Sequence, residues 1–133
     1  MDYFGWNSQL ETGIEVIDTQ HKEVAMYLHC VYNTSYLNLL DEERAALHEL
    51  IQCVNSHHAF EEELLEAAGY PNLEEHKRTH AEIRRRLERY FSVFLSGKDI
   101  SQALVADLKM WLTTHIRYDD ADYVPYLQQQ IAP

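Results

Sequence analysis

Four stretches of the chain repeat apolar residues every three or four positions between short turn-forming breaks, and strand-like alternation is nearly absent. That pattern restricts the fold to helices packed on one another. Asp18 is placed to cap a first helix reaching about Tyr36, with Val24, Tyr27, Leu28 and Val31 on one face, and Asn38 to Leu40 make the turn. Asp41 then caps a second helix whose stripe is Leu47, Leu50, Ile51, Val54, Leu64 and Leu65. Gly69 stops that helix where a left-handed cap suits glycine, and Pro71 enforces the stop. Asn72 with Glu75 resembles a capping box for a third helix carrying Leu73, Ile83, Leu87, Phe91 and Phe94 inward. Ser96 to Asp99 end it. Asp99 or Ser101 caps the fourth, with Leu104, Leu108, Trp111 and Leu112 inward, and Tyr123 to Gln130 form a short terminal helix. Connections so short favour antiparallel neighbours. The expected fold is all-α: an up-down-up-down antiparallel four-helix bundle with a short C-terminal helix. The lead-in, residues 2–17, is an N-terminal arm packing Trp6 and Ile14 against it.

A length of 133 residues suits one domain spanning 1–133. Eleven Lys and Arg against 22 Asp and Glu leave a formal charge of −11, which argues against nucleic acid and against an anionic membrane as partners. The N-terminus has no basic stretch followed by an apolar one, and no later run approaches a membrane span, so the expected location is cytoplasmic. Cys30 and Cys53 form no CxxC pair. On adjacent antiparallel helices they fall about 9 Å out of register, too far for a bridge, and read as free thiols.

The eight histidines carry the chemistry. His57 and Glu61 are four apart, as are His76 and His80, so each pair shares a helix face. Both pairs continue apolar stripes; His21 opens the stripe of helix one, and His115 extends that of Trp111 and Leu112. Every helix therefore points imidazole or carboxylate inward. Stranding such groups unpaired costs several kcal/mol each when ionised, and the remedies are mutual hydrogen bonds or metal. Five neutral imidazoles around two carboxylates leave ring nitrogens whose natural partner is a cation. A single structural zinc takes four ligands, whereas seven groups fit two ions sharing bridging carboxylates, and mixed imidazole and carboxylate ligation suits iron.

Two registers need a decision. Glu61 lies roughly 20° from the centre of the helix-two stripe and Glu62 roughly 80° away, which selects His57 and Glu61 over His58 and Glu62. On helix four, spacing prefers Asp119, four residues from His115, over Asp120, five away. Asp120 reaches the site only where the helix loosens, bulges or tilts, or where the bridging position lies beside the imidazole.

The stretches Trp6 to Ile14, Ile17-Asp18-Thr19-Gln20-His21-Lys22, His57-xxx-Glu61, Tyr70-Pro71, His76-xxx-His80, Trp111-Leu112-xx-His115-Ile116 and Asp120 resemble the hemerythrin family. The closer likeness is to its single-domain bacterial members, the bacteriohemerythrins. The order and spacing cover nearly the whole chain. The family pattern leaves four residues between its last histidine and the bridging aspartate, which selects Asp120 over Asp119. The resemblance implies two non-haem irons bridged by Glu61, Asp120 and an oxo or hydroxo group. His76, His80 and His115 would hold one iron; His21 and His57 would hold the other, leaving one open position for reversible dioxygen binding. No catalytic residue is implied, so the chain is read as a carrier rather than an enzyme, a monomer serving storage or delivery to an oxygen-consuming enzyme. A sensor of oxygen or nitric oxide, and a di-iron oxidase or peroxide scavenger, are the alternatives.

Val24, His58, Trp111, Leu112 and Ile116 are candidates for the oxygen pocket, whose dry walls would deny protons and water to the bound ligand. His58 departs from the family's usual phenylalanine. On spacing it sits at the stripe's edge, reaching solvent or a carbonyl; the sharper reading has it contact the pocket. His29 and His48 read as solvated or boundary residues, and Tyr70 and Tyr123 as groups that pack or hydrogen-bond near the ligands. Lys77, Arg78, Arg84, Arg85, Arg86 and Arg89 make helix three basic, a face balanced by Glu82 and Glu88.

Overall fold

The computed structural model of the chain describes residues 7–131, with side chains through residue 129. Helix α1 spans Glu15–Tyr36, α2 Leu40–Ala68, α3 Leu73–Leu95 and α4 Ser101–Thr114. The last runs on through a π-helical turn, His115–Asp120, into α5, Ala121–Ile131. Neighbours α1 and α2, α2 and α3, α3 and α4, and α4 and α1 pack together, which closes the antiparallel bundle. Among the described residues there is no strand. Trp6, expected to pack against the bundle, lies outside the described residues; Ile14 is buried as expected.

Gly69 ends α2 in the left-handed region at φ 70°, the conformation glycine adopts without strain. The N-termini depart from expectation. The first helix opens at Glu15, three residues before Asp18. The Asp18 carboxylate instead turns back, accepting from Thr12 N at 2.8 Å, Thr12 Oγ1 at 2.7 Å and Gly13 N at 3.1 Å. It pins the arm rather than capping the helix. Asp41 falls inside the first turn of α2, and no side chain caps that helix. The capping box at Asn72 does not form: Asn72 makes no side-chain cap bond, and Glu75 pairs with Arg78 at 2.7 Å.

Asp99 Oδ1 does accept from Ser101 N, at 3.4 Å. The Ser101 hydroxyl, at the start of α4, donates to the buried carboxylate of Glu43 near the start of α2. Ser101→Ala removes the hydroxyl that the buried carboxylate depends on. The expected cost is about 1–3 kcal/mol of unfolding free energy, read as a lower urea midpoint, with no change in metal content.

Besides a small apolar cluster of Leu10, Ala25 and Ile116, the core has two large apolar parts along the bundle axis. Val24, Leu28, Leu47, Leu50, Val54, Ile83, Leu87 and Leu108 fill one, and Ile17, Leu65, Tyr70, Tyr123 and Leu127 the other. His21 falls one turn from Ile17 on one side and Val24 on the other, His57 and His80 one turn from Val54 and Ile83, and Glu61 and Asp120 one turn from Leu65 and Tyr123. Apolar packing above and below thus holds a polar cluster in the middle of the bundle.

Candidate metal centre

All seven residues singled out as metal ligands are buried in one cluster, Glu61 and Asp120 with no exposed surface. They fall into two groups that share both carboxylates: His76, His80 and His115 with Glu61 and Asp120, and His21 and His57 with the same pair. Within each group the candidate ligand atoms lie within 4.8 Å of one another. The oxygens divide accordingly. Glu61 Oε1 faces His76 Nε2 at 2.6 Å and His80 Nε2 at 3.0 Å, while Oε2 faces His57 Nε2 at 3.2 Å and His21 Nε2 at 3.9 Å. Asp120 Oδ1 lies 3.2 Å from His76 Nε2 and 3.1 Å from His115 Nε2, and Oδ2 lies 3.1 Å from His21 Nε2. Each carboxylate therefore offers one oxygen to each group.

The π-turn explains the choice between the adjacent aspartates. Its wider winding brings residue i+5 rather than i+4 onto the inward face, so Asp120 joins His115 in the cluster. Asp119 is turned outward, 44 % exposed, and its Oδ2 accepts from His115 Nδ1 at 2.9 Å. Glu62 does the same for His80 Nδ1 at 2.8 Å, and Gln20 Oε1 for His57 Nδ1 at 2.6 Å. These outer oxygens can only accept, which places the ring proton on Nδ1 and turns a bare Nε2 lone pair inward. Tyr123 OH donates to Glu61 Oε2 at 2.8 Å, fixing the shared carboxylate from α5. Reading by spacing weighed Glu62 and Asp119 only as rival ligands. Their flanking role had a signal, since each is next in sequence to a candidate ligand carboxylate.

His58 is buried, not at the solvent edge. Its ring stacks on His80 with centroids 3.7 Å apart and planes at 2°, and lies 5.6 Å from His57. Burial and the neighbouring His80 and His57 hold its pKa well below the usual imidazole range. Trp111 stacks on His115 at 4.5 Å, so both rings cover the three-histidine group. Val24 joins the large apolar core, and Ile116 packs with Leu10 and Ala25, with Leu112 against them. His29 is half-buried, with Nε2 3.0 Å from the Asn33 amide, and His48 is exposed beside Phe91. Neither joins the cluster.

The profile of the Hemerythrin HHE cation binding domain matches residues 12–127. The chain belongs to the hemerythrin family. A bacteriohemerythrin of Stenotrophomonas maltophilia is 39% identical over 130 residues, covering 95% of this chain and 82% of that one. Another from Pseudomonas paraeruginosa is 36% identical over 136 residues, covering 99% and 86%. A crystal structure of a hemerythrin point mutant superposes with a TM-score of 0.87 at 24% identity, covering 92% of this chain and 95% of that one, a likeness of fold.

The donor set of this hemerythrin fits metal cations. His80 Nε2 and His115 Nε2 lie 3.1 Å apart, and with both Nδ1 protons committed outward, two lone pairs face each other. Neither Asp120 oxygen receives a hydrogen bond despite complete burial. A cation relieves both defects, where protons serve in its place when it is absent. Burial lowers the pKa of His115 and His76, yet Asp120 and Glu61, aided at His115 by Asp119, raise them to about 10 and about 9. At pH 8 the metal-free site therefore holds protons on both rings that a metal must displace. Metal uptake should release about two protons per chain, and affinity should rise with pH until those rings are bare. Calorimetry in buffers of different ionisation enthalpy measures the release; uptake without protons contradicts it.

Proposed function

We propose that this hemerythrin binds dioxygen reversibly at a non-haem di-iron centre, for oxygen storage or delivery to oxygen-consuming enzymes. The observation that carries the reading is the inequality of the two groups: one has three histidines, the other two, around the same pair of carboxylates. When bound, two ferrous ions supply the electrons that dioxygen binding draws on, and an open coordination position on the side with fewer donors.

The rest falls to the chain. Glu61 and Asp120 hold the two positions at a fixed separation and offset the cationic charge in a buried setting. Gln20, Glu62 and Asp119 keep His57, His80 and His115 in the ligating tautomer and orientation. Tyr123 steadies Glu61 without acting as an acid. Burial, with the charges of Asp120 and Glu61, pushes its phenol far above the ordinary range, so it keeps its proton. Val24, Leu112 and Ile116 are apolar groups suited to excluding water, which favours release of the ligand unchanged over further reaction.

His57→Ala tests this assignment. Oxygen binding is expected to disappear while the bundle keeps its helical circular dichroism and the three-histidine group still takes one metal ion. Retained oxygen binding would refute the assignment of His57 to the open side.

A further inference from the structure

The cluster is closed to solvent, so a hydrated cation cannot touch Glu61 or Asp120 until a side chain moves aside. Among the described residues, two cavities end on a histidine of the cluster. One, of about 290 Å³, lies between α1 and α2 and ends on His57; the other, of about 90 Å³, ends on His76. The first is about three times as large as the second and is the roomier approach for an ion that still carries water.

The lining of the larger cavity suits a cation in transit. Glu23 comes from α1 and Glu49 from α2, with Gln52, Ser56 and Cys53 below them, and no Lys or Arg takes part. Carboxylate, amide and hydroxyl oxygens exchange readily with the water around a divalent ion. Burial, then Glu23 and Glu49, push the Cys53 thiol up to about 11, so it meets the ion as a neutral thiol, a far poorer ligand than a thiolate. The groove therefore attracts a cation without trapping it. At its floor the His57 ring is the partition: Nδ1 faces Gln20 on the groove wall, and Nε2 faces Glu61 in the cluster.

Building on the di-iron reading, we propose that the groove between α1 and α2 is the route by which ferrous ion reaches the cluster, guided by Glu23 and Glu49 and passed inward by rotation of the His57 ring. Both acids are exposed and stand outside the proposed ligand set, so neutralising them leaves the centre intact.

The test follows anaerobic uptake of ferrous ion alone by the metal-free full chain, using stopped flow with a chelator quench. The double variant E23Q/E49Q is expected to load about ten-fold more slowly than the unsubstituted chain, to the same two ions and with the same melting temperature. Added salt should slow the unsubstituted chain and leave the double variant little changed. E75Q/D122N, which neutralises acids of the smaller cavity, should load at the unsubstituted rate. Equal rates for E23Q/E49Q and the unsubstituted chain, or slow loading confined to E75Q/D122N, would overturn the route while leaving the di-iron reading in place. An unsubstituted chain that takes up fewer than two ions overturns the di-iron reading and the route with it.

Discussion

Asp120→Asn is expected to leave the chain unable to hold two metal ions, whereas Asp119→Asn, one residue earlier, keeps both at reduced affinity. Asp120 is fully buried, and its two oxygens face different histidine groups, Oδ1 toward His76 and His115 and Oδ2 toward His21. A carboxamide of the same shape presents one oxygen to one position and an NH2 group to the other. It also removes the negative charge that, with Glu61, would offset two cations in a buried space. Asp119 touches only the outer nitrogen of His115. Losing its charge loosens that ring and makes it less basic, an effect on the order of 10- to 100-fold in metal affinity. Metal counted per chain after gel filtration distinguishes the two. Two ions retained by Asp120→Asn, or lost from Asp119→Asn at saturating metal, would show that the π-turn does not select the bridge.

Removing the metal from the unsubstituted chain should lower its melting temperature by on the order of 20 °C. A ligand held at a thousand times its dissociation constant contributes about 4 kcal/mol, two ions about twice that, and each kcal/mol moves a domain of this size by a few degrees. The loss is local in origin. Without cations, five imidazoles and two carboxylates remain buried together, held only by the protons that His76 and His115 carry in place of metal. Amide exchange should accelerate first around His57, His80 and His115. Leu47, Leu50, Leu87 and Leu104, in the apolar part of the core, should stay protected. Calorimetry and hydrogen exchange of metal-free and loaded chain read both effects; coincident melting curves would mean that the cluster does not depend on metal.

The bundle was legible because its information is periodic. Apolar stripes place Leu28, Leu50, Leu87 and Leu108 inward on four helices, and a glycine such as Gly69 announces a stop by the backbone conformation it alone adopts freely. The helix starts were less legible. A short polar side chain near a helix start has several local partners, and Asp18 is closer to the amides of Thr12 and Gly13 than to a cap of its own. Helical spacing likewise carries no mark of the π-turn, since a regular helix puts Asp119 under His115 and only the wider winding brings in Asp120. The family pattern selected Asp120, the aspartate that the structure brings into the cluster, and the π-turn supplies the physical reason. His58 shows the same limit. Its angle around α2 suggests an edge position, but α3 brings His80 close enough to cover it, and no one-helix argument contains that contact.

The most direct measurement is anaerobic reconstitution of the metal-free chain with ferrous iron and metal counting, followed by repeated admission and removal of oxygen while its charge-transfer absorption is recorded. The expected result is two irons per chain and an absorption that appears and disappears over many cycles without loss. Immediate, irreversible conversion to the ferric form, or turnover of an added substrate, would contradict reversible oxygen binding.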